Sequence, residues 1–113
     1  MEYGHSLVIP PYFDGSNYTY WKVRMKAFLK SIDERVWNSA EYGWEKPTTP
    51  VNEWQTSQKE ATTFNSKLMN VIFNAVSIKE FKRISNVEIA YTAWNILQTV
   101  HEGTKAVKIN KLQ

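Results

Sequence analysis

Between Tyr18 and Ile32, large apolar residues recur every three or four positions, which is the spacing of one face of an α-helix. These positions are Tyr18, Trp21, Met25, Phe28, Leu29 and Ile32. The same spacing returns further along the chain at Ala61, Phe64, Leu68, Ile72 and Ala75. No stretch alternates apolar and polar residues for long enough to indicate a β-sheet. The sequence therefore predicts an all-α fold.

Turn and capping residues predict where the helices begin and end. Residues 14–17 (Asp-Gly-Ser-Asn) supply a turn, with Ser16 or Asn17 as the cap of a helix over residues 18–32. A shorter helix is expected over residues 33–40, and Pro47 and Pro50 then predict a loop.

Three later helices are predicted from capping boxes, in which a polar residue is followed three positions later by Glu or Gln. The boxes are Asn52 with Gln55, Ser77 with Glu80, and Ser85 with Glu88. They predict helices over residues 53–76, 78–83 and 86–100, the last one stopping near Gly103. The last helix would carry Val87, Ala90, Trp94 and Leu97 on its buried face.

The two ends of the chain differ from its middle. Residues 7–13 (LVIPPYF) contain β-branched residues and two prolines, which favour an extended apolar arm. Residues 104–113 begin another amphipathic pattern, with Ala106, Ile109 and Leu112 apolar. We therefore expect an arm and turn over residues 1–17, a compact bundle of about five helices over residues 18–103, and the start of a truncated further helix over residues 104–113.

Few residues could build an active site. The only histidines are His5 and His101; neither has a neighbour at metal-ligand spacing, and a helix C-terminus favours His101 as a cation. Without cysteine there is no disulfide or thiolate metal site. The adjacent Asp33 and Glu34 would point about 100° apart on a helix, and no phosphate-binding loop or nucleophile elbow occurs. We expect a protein that is not an enzyme and takes no metal, cofactor or small-molecule substrate.

The net charge of +3 comes entirely from the C-terminal end. Subtracting the three lysines of residues 104–113 from 14 basic residues leaves 11, which equals the 11 acidic ones. Phosphate binding needs clustered cations, and a solvated helix face explains three lysines on the first helix more simply. Weak nucleic-acid contact is therefore the third-ranked function, and its candidate residues are Lys22, Lys26, Lys30, Lys105, Lys108 and Lys111.

Two groups of apolar residues are candidates for binding another protein. Tyr42, Trp44 and Trp54 flank the proline-containing loop, where a partner surface and a packed loop are equally good explanations. The arm either closes over the helices of its own chain or docks on a neighbour, through Leu7, Val8, Ile9, Tyr12 and Phe13.

Membrane and secretory segments are not expected. No run approaches the roughly 20 apolar residues that span a bilayer, and residues 1–12 lack the basic start and apolar run of a signal peptide. We expect a cytoplasmic protein without a membrane partner.

Residues 11–21 (PYFDGSNYTYW), followed by Met25, Leu29 and Trp37, resemble the opening of plant copia-type LTR retrotransposon Gag polyproteins. Residues 93–97 (AWNIL), 101–104 (HEGT) and 107–112 (VKINKL) are similar to the segment that leads into the remaining Gag helices. The likeness spans nearly the whole chain and is least distinctive over residues 41–60.

The resemblance implies the N-terminal capsid-like region of Gag, which self-associates around element RNA in a cytoplasmic particle. The zinc knuckle and the enzymes of such polyproteins have no signature here, so RNA binding would fall mainly outside this chain. The first-ranked function is self-association as a homo-oligomer. The alternative is a domesticated Gag-derived module that binds an extended peptide of a partner protein in a groove between helices. The motif also has a plain structural explanation, in which Gly15 permits the turn and Trp21 and Trp94 fill the core.

Overall fold

The computed structural model describes residues 9–103, and this part of the chain forms five α-helices and no β-strand. The helices are α1 (Tyr18–Ile32), α2 (Glu34–Glu41), α3 (Thr56–Ala75), α4 (Ile78–Ile84) and α5 (Ala90–Glu102). A 3-10 turn, Val51–Glu53, lies between α2 and α3. The predicted all-α bundle is confirmed. His5, Leu7, Val8, the three C-terminal lysines and the predicted further helix lie outside the described residues.

The core is organised around α5, which contacts each of the other four helices. Trp94 of α5 stacks on Trp21 of α1 with ring centroids 5.6 Å apart, and it meets Trp37 of α2 edge-on at 5.4 Å. Such aromatic pairs add to the free energy that burial alone provides. The prediction that Trp21 and Trp94 fill the core is confirmed.

The apolar stripe of α1 follows the sequence pattern over most of its length. Four of the six stripe residues are buried: Tyr18, Trp21, Met25 and Leu29. Phe28 is half-buried, and Ile32 is exposed because the helix ends there. Asp33 then begins α2 by accepting a hydrogen bond from the Arg35 amide, and hydrogen bonds from Arg35 lower the pKa of Asp33 to about 2.

In the first half of the chain, α1 begins at Tyr18 as predicted, but its predicted side-chain cap is wrong, and the predicted start of the long helix at residue 53 is wrong. Asn17 precedes α1, but it has the left-handed backbone angle φ 52° and its side chain makes no capping hydrogen bond. Side-chain caps normally need an extended backbone at that position. The box of Asn52 and Gln55 is displaced, because Val51–Glu53 turns as a 3-10 helix and Gln55 pairs with Gln58 at the start of α3 instead.

The start of α5 is set by a buried side chain of α3 rather than by the predicted box of Ser85 and Glu88. The Asn65 Oδ1 accepts a hydrogen bond from the Ala90 amide at 2.8 Å, and its Nδ2 donates to the Glu88 carbonyl at 2.8 Å. Ser85 instead lies at the end of α4. The helix therefore begins at Ala90, four residues later than predicted, and it ends as expected at Gly103, whose φ is +77°.

Candidate partner-binding surface

The end of the N-terminal arm packs against its own chain. The Phe13 amide donates to the Ala75 carbonyl at 2.7 Å, and the Ser77 amide donates to the Phe13 carbonyl at 3.0 Å. The indole Nε1 of Trp21 donates to the Pro11 carbonyl at 2.8 Å. These bonds fix the chain path just before the turn into α1.

The Phe13 side chain is only 1% exposed, so it cannot dock on a neighbouring molecule. It stacks on Trp21 at 4.9 Å and meets Tyr18 and His101 edge-on at 5.6 Å and 4.8 Å. Of the two alternatives for the arm, Phe13 follows the one in which it closes over its own helices. Ile9 and Tyr12 remain 68% and 63% exposed, and among the described arm residues they are the ones still open to a partner.

The turn of residues 14–17 follows the arm and lies close to Glu80 of α4. The Asp14 carboxylate accepts hydrogen bonds from the Ser16 amide and hydroxyl, which lower the pKa of Asp14. Gly15 has φ +105°, and a Cβ there would lie 3.2 Å from the Glu80 carboxylate. The backbone angle favours glycine, and a larger residue would also press on the Glu80 carboxylate.

Glu80 is a buried carboxylate that links α4 to α5, and sequence analysis did not assign it this position. Its Oε1 accepts a hydrogen bond from Arg83 Nε at 3.1 Å and lies 2.7 Å from His101 Nε2. The Ser77 hydroxyl accepts from the Glu80 amide, so half of the predicted box forms. The Glu80 carboxylate contacts Arg83 and His101 instead of turning back to the Ser77 amide. The Ser-x-x-Glu pattern alone therefore did not predict the contact with α5.

His101 is held among buried groups rather than facing a cleft. Its ring stacks on Tyr18 at 5.6 Å, and the Tyr18 hydroxyl is buried without a hydrogen-bond partner. Burial, and secondarily the charge of Glu102, raise the pKa of Tyr18. A histidine acts in catalysis when a nucleophile or substrate proton is within hydrogen-bond reach, and Tyr18 meets His101 through its ring face. The contacts of His101 with Tyr18 and Glu80 therefore have the features of a packing contact between helices.

Tyr42 and Trp44 follow α2 and lie near each other beside the start of α5. Trp54 lies elsewhere. Tyr42 is 76% exposed, Trp44 is half-buried, and both line a shallow hollow with Ile89 and Tyr91. Trp54 lies in the loop after Pro50 and donates from its Nε1 to the Thr49 carbonyl at 2.9 Å, and it is not among the residues that line this hollow.

A second hollow lies between α2 and α3. Phe64 and Ala61 of α3 line it together with Ser39 and Tyr42 of the α2 side. The Arg35 guanidinium lies over the Phe64 ring at 4.5 Å, and Arg35 Nη1 is 3.6 Å from the Glu60 carboxylate. Tyr42 thus borders this hollow as well as the hollow over α5.

The outward side of α5 is a candidate surface that sequence analysis missed. Six residues, which we call the α5 outer strip, line a shallow hollow along it: Tyr91, Thr92, Asn95, Ile96, Thr99 and Val100. Tyr91 and Val100 are 42% and 45% exposed. The signal was present in residues 91–100 (YTAWNILQTV), which contain no charged residue, but only their buried face was considered.

The three lysines of α1 are engaged within the chain. Lys22 Nζ is 3.4 Å from the Glu102 carboxylate, and Lys30 Nζ is 3.8 Å from that of Glu34. Lys26 Nζ lies 5.2 Å from the centre of a Trp37 ring. Neighbouring acids reduce the positive potential that a phosphate backbone would need.

In residues 9–103 there is no group of three or more acidic, histidine or cysteine side chains placed to hold a metal ion. The same part of the chain contains no helix with the length and apolarity needed to cross a bilayer. A comparison with protein-family models, with curated proteins and with solved structures finds no match in any of the three. Proposals about function therefore depend on the residues and their placement.

Proposed function

We propose that this chain is a non-enzymatic, capsid-like structural domain that self-associates in a retrotransposon-type particle in the cytoplasm. The observation that carries the proposal is the resemblance of residues 11–21 to the opening of copia-type Gag polyproteins. Residues of that motif also form part of the core together, since Phe13, Tyr18 and Trp21 pack on one another. A motif that specifies a scaffold rather than a reactive site suits a structural role.

The character of the surface supports a protein partner. Residues 1–104 are electrically balanced, and the α5 outer strip offers apolar side chains without charges. Exposed apolar patches commonly mark protein contacts. Weak RNA binding through lysines stays the third proposal, because the three lysines of α1 each have an acidic or aromatic neighbour.

Self-association is tested by size exclusion coupled to light scattering, over a concentration series at two salt concentrations. We expect the mean mass to rise with concentration towards a dimer or a larger species. Raising the salt should weaken the association little, because uncharged apolar contacts are not screened. A monomer mass at every concentration up to about 1 mM, where interactions of roughly −4 kcal/mol would appear, contradicts self-association of this chain.

The alternative proposal is a domesticated Gag-derived module that binds an extended peptide. Its support is the position of Tyr42 between two hollows, one between α2 and α3 and one over α5 beside Trp44. A peptide crossing Tyr42 would contact both.

The alternative is tested by selecting peptides from a random phage-display library on the full chain and measuring their binding by fluorescence anisotropy. We expect Trp44→Ala to weaken binding at least about tenfold, which corresponds to about 1.4 kcal/mol. Trp54→Ala is the matched control and should keep the affinity. Selected peptides that bind the Trp44→Ala variant as well as the parent chain, or a selection that yields no peptide, would remove the support for this alternative.

A further inference from the structure

We infer that the α5 outer strip is the surface through which two copies of this chain pair about a two-fold axis, with their α5 helices antiparallel. The inference rests on the proposed self-association and assigns a surface to it.

The first argument is the absence of charge along the strip. Charged residues make up 22% of the chain, so ten residues should include about two, yet residues 91–100 include none. A helix at the surface of a protein ordinarily has charged or polar side chains on its outer face. The outer face of α5 offers Tyr91, Ile96 and Val100 instead, with two threonines and one asparagine between them.

The second argument is the layout of the strip. At 3.6 residues per turn, Thr92, Asn95 and Thr99 follow one another along its middle, with Tyr91 on one side and Ile96 and Val100 on the other. The small threonine side chains let another helix approach closely, while the larger apolar ones can close around the contact. At its Tyr91 end the strip continues into the hollow that Trp44 and Ile89 line.

A second copy of the chain fits this chemistry better than other occupants. In a two-fold pair a residue near the axis faces its own counterpart, so a charge there would meet a like charge. Asn95 lies at the middle of the strip and is neutral, and an amide carries both donors and an acceptor, so two copies can hydrogen-bond each other. One Asn95 N–H donates to the Tyr91 carbonyl at 2.7 Å, and an amide has a second N–H. Nucleic acid and anionic membrane surfaces would require clustered lysine or arginine. Lys22 and Lys26 line the adjacent hollow with Asn95, but Glu41 accompanies them there and Glu102 pairs with Lys22.

The size of the strip sets the expected strength. Six strip residues with the neighbouring Trp44 and Ile89 fall well short of the roughly 20–30 residues per partner in a stable interface. We therefore expect a reversible dimer with a dissociation constant of roughly 10–1,000 µM. A weak contact of this kind suits a particle in which many copies act together.

The test uses the full chain with Asn95→Glu and with Asn95→Lys, measured by sedimentation equilibrium separately and as an equimolar mixture. Each variant alone places like charges across the axis and should weaken dimerisation at least about tenfold. The mixture places opposite charges together and should recover the dimer. Ser66→Glu and Ser66→Lys, at an exposed position of α3, are the matched controls and should behave as the parent chain. Recovery in the mixture also establishes that both variants are folded.

The outcomes separate this inference from the proposed function. If the parent chain self-associates and the Asn95 variants do so equally, the contact lies elsewhere and only the inference is overturned. If each variant dissociates but the mixture does not recover, the strip is not paired with itself. If the parent chain is monomeric at every concentration, both proposals fail for this chain.

Discussion

Replacing Phe13 with Ala should lower the free energy of unfolding by about 3–5 kcal/mol, the usual cost of deleting a buried aromatic side chain. Phe13 is 1% exposed, and its ring is enclosed by Trp21, Tyr18 and His101. The backbone hydrogen bonds of Phe13 to Ala75 and Ser77 hold the end of the arm in place, so the cavity cannot close easily. Urea unfolding followed by tryptophan fluorescence measures the change.

The neighbouring Tyr12 supplies the control for this prediction. Tyr12 is 63% exposed, so Tyr12→Ala should change the free energy of unfolding by no more than about 0.5 kcal/mol. If the two variants were equally stable, Phe13 would not be part of the core in solution. Because single domains have only about 5–15 kcal/mol of stability, the expected loss at Phe13 would leave a substantial unfolded fraction on mild heating.

The contrast between buried Phe13 and exposed Tyr12 shows what residues 11–21, the motif that resembles Gag, do in the fold. Pro11 accepts the hydrogen bond of the Trp21 indole, Phe13 enters the core, and Gly15 leaves room for the Glu80 carboxylate. A motif of this kind fixes how the arm joins α1, α4 and α5. The α5 outer strip that we propose for self-association lies outside this motif, so the resemblance by itself assigns no contact residue.

The sequence predicted helices well where the information is local. The three-to-four spacing from Tyr18 to Ile32 follows the pitch of the helix itself, and α1 begins and ends where that spacing does. The start of α5 could not be predicted in this way, because Asn65 that caps it is 25 residues away in sequence. A local Ser-x-x-Glu pattern at Ser85 therefore gave the wrong start.

The candidate surface was predicted only in part, for a similar reason. The position of aromatic residues beside the proline-containing loop identified Tyr42 and Trp44, which lie beside α5. The same criterion included Trp54, which donates a hydrogen bond to the Thr49 carbonyl of that loop. Which aromatics meet depends on how the loop crosses α5, and that path is set by contacts such as the close approach of Gly43 to Tyr91. The α5 outer strip was not predicted because α5 has apolar residues on two faces. The periodic pattern identifies only the more strongly apolar face, which is the buried one.

Replacing Glu80 with Gln should lower the free energy of unfolding by about 2–4 kcal/mol, because it removes the carboxylate that pairs with Arg83 and lies against the His101 ring nitrogen. The Glu80 side chain is 2% exposed and those of Arg83 and His101 are 33% and 14% exposed. Solvent reaching Arg83 keeps the loss below that of a fully buried pair.

Glu88→Gln is the matched control for the Glu80 substitution. The Glu88 side chain is 78% exposed and its carboxylate is 3.8 Å from Lys46 Nζ, so the control should cost no more than about 0.5 kcal/mol. Urea unfolding of both variants at pH 7 measures the two free energies of unfolding. Equal stability would mean that the Glu80 carboxylate does not join α4 to α5. A loss of stability at Glu80 with unchanged self-association would assign this contact to the folded core, separate from the α5 outer strip that we propose as the dimer surface.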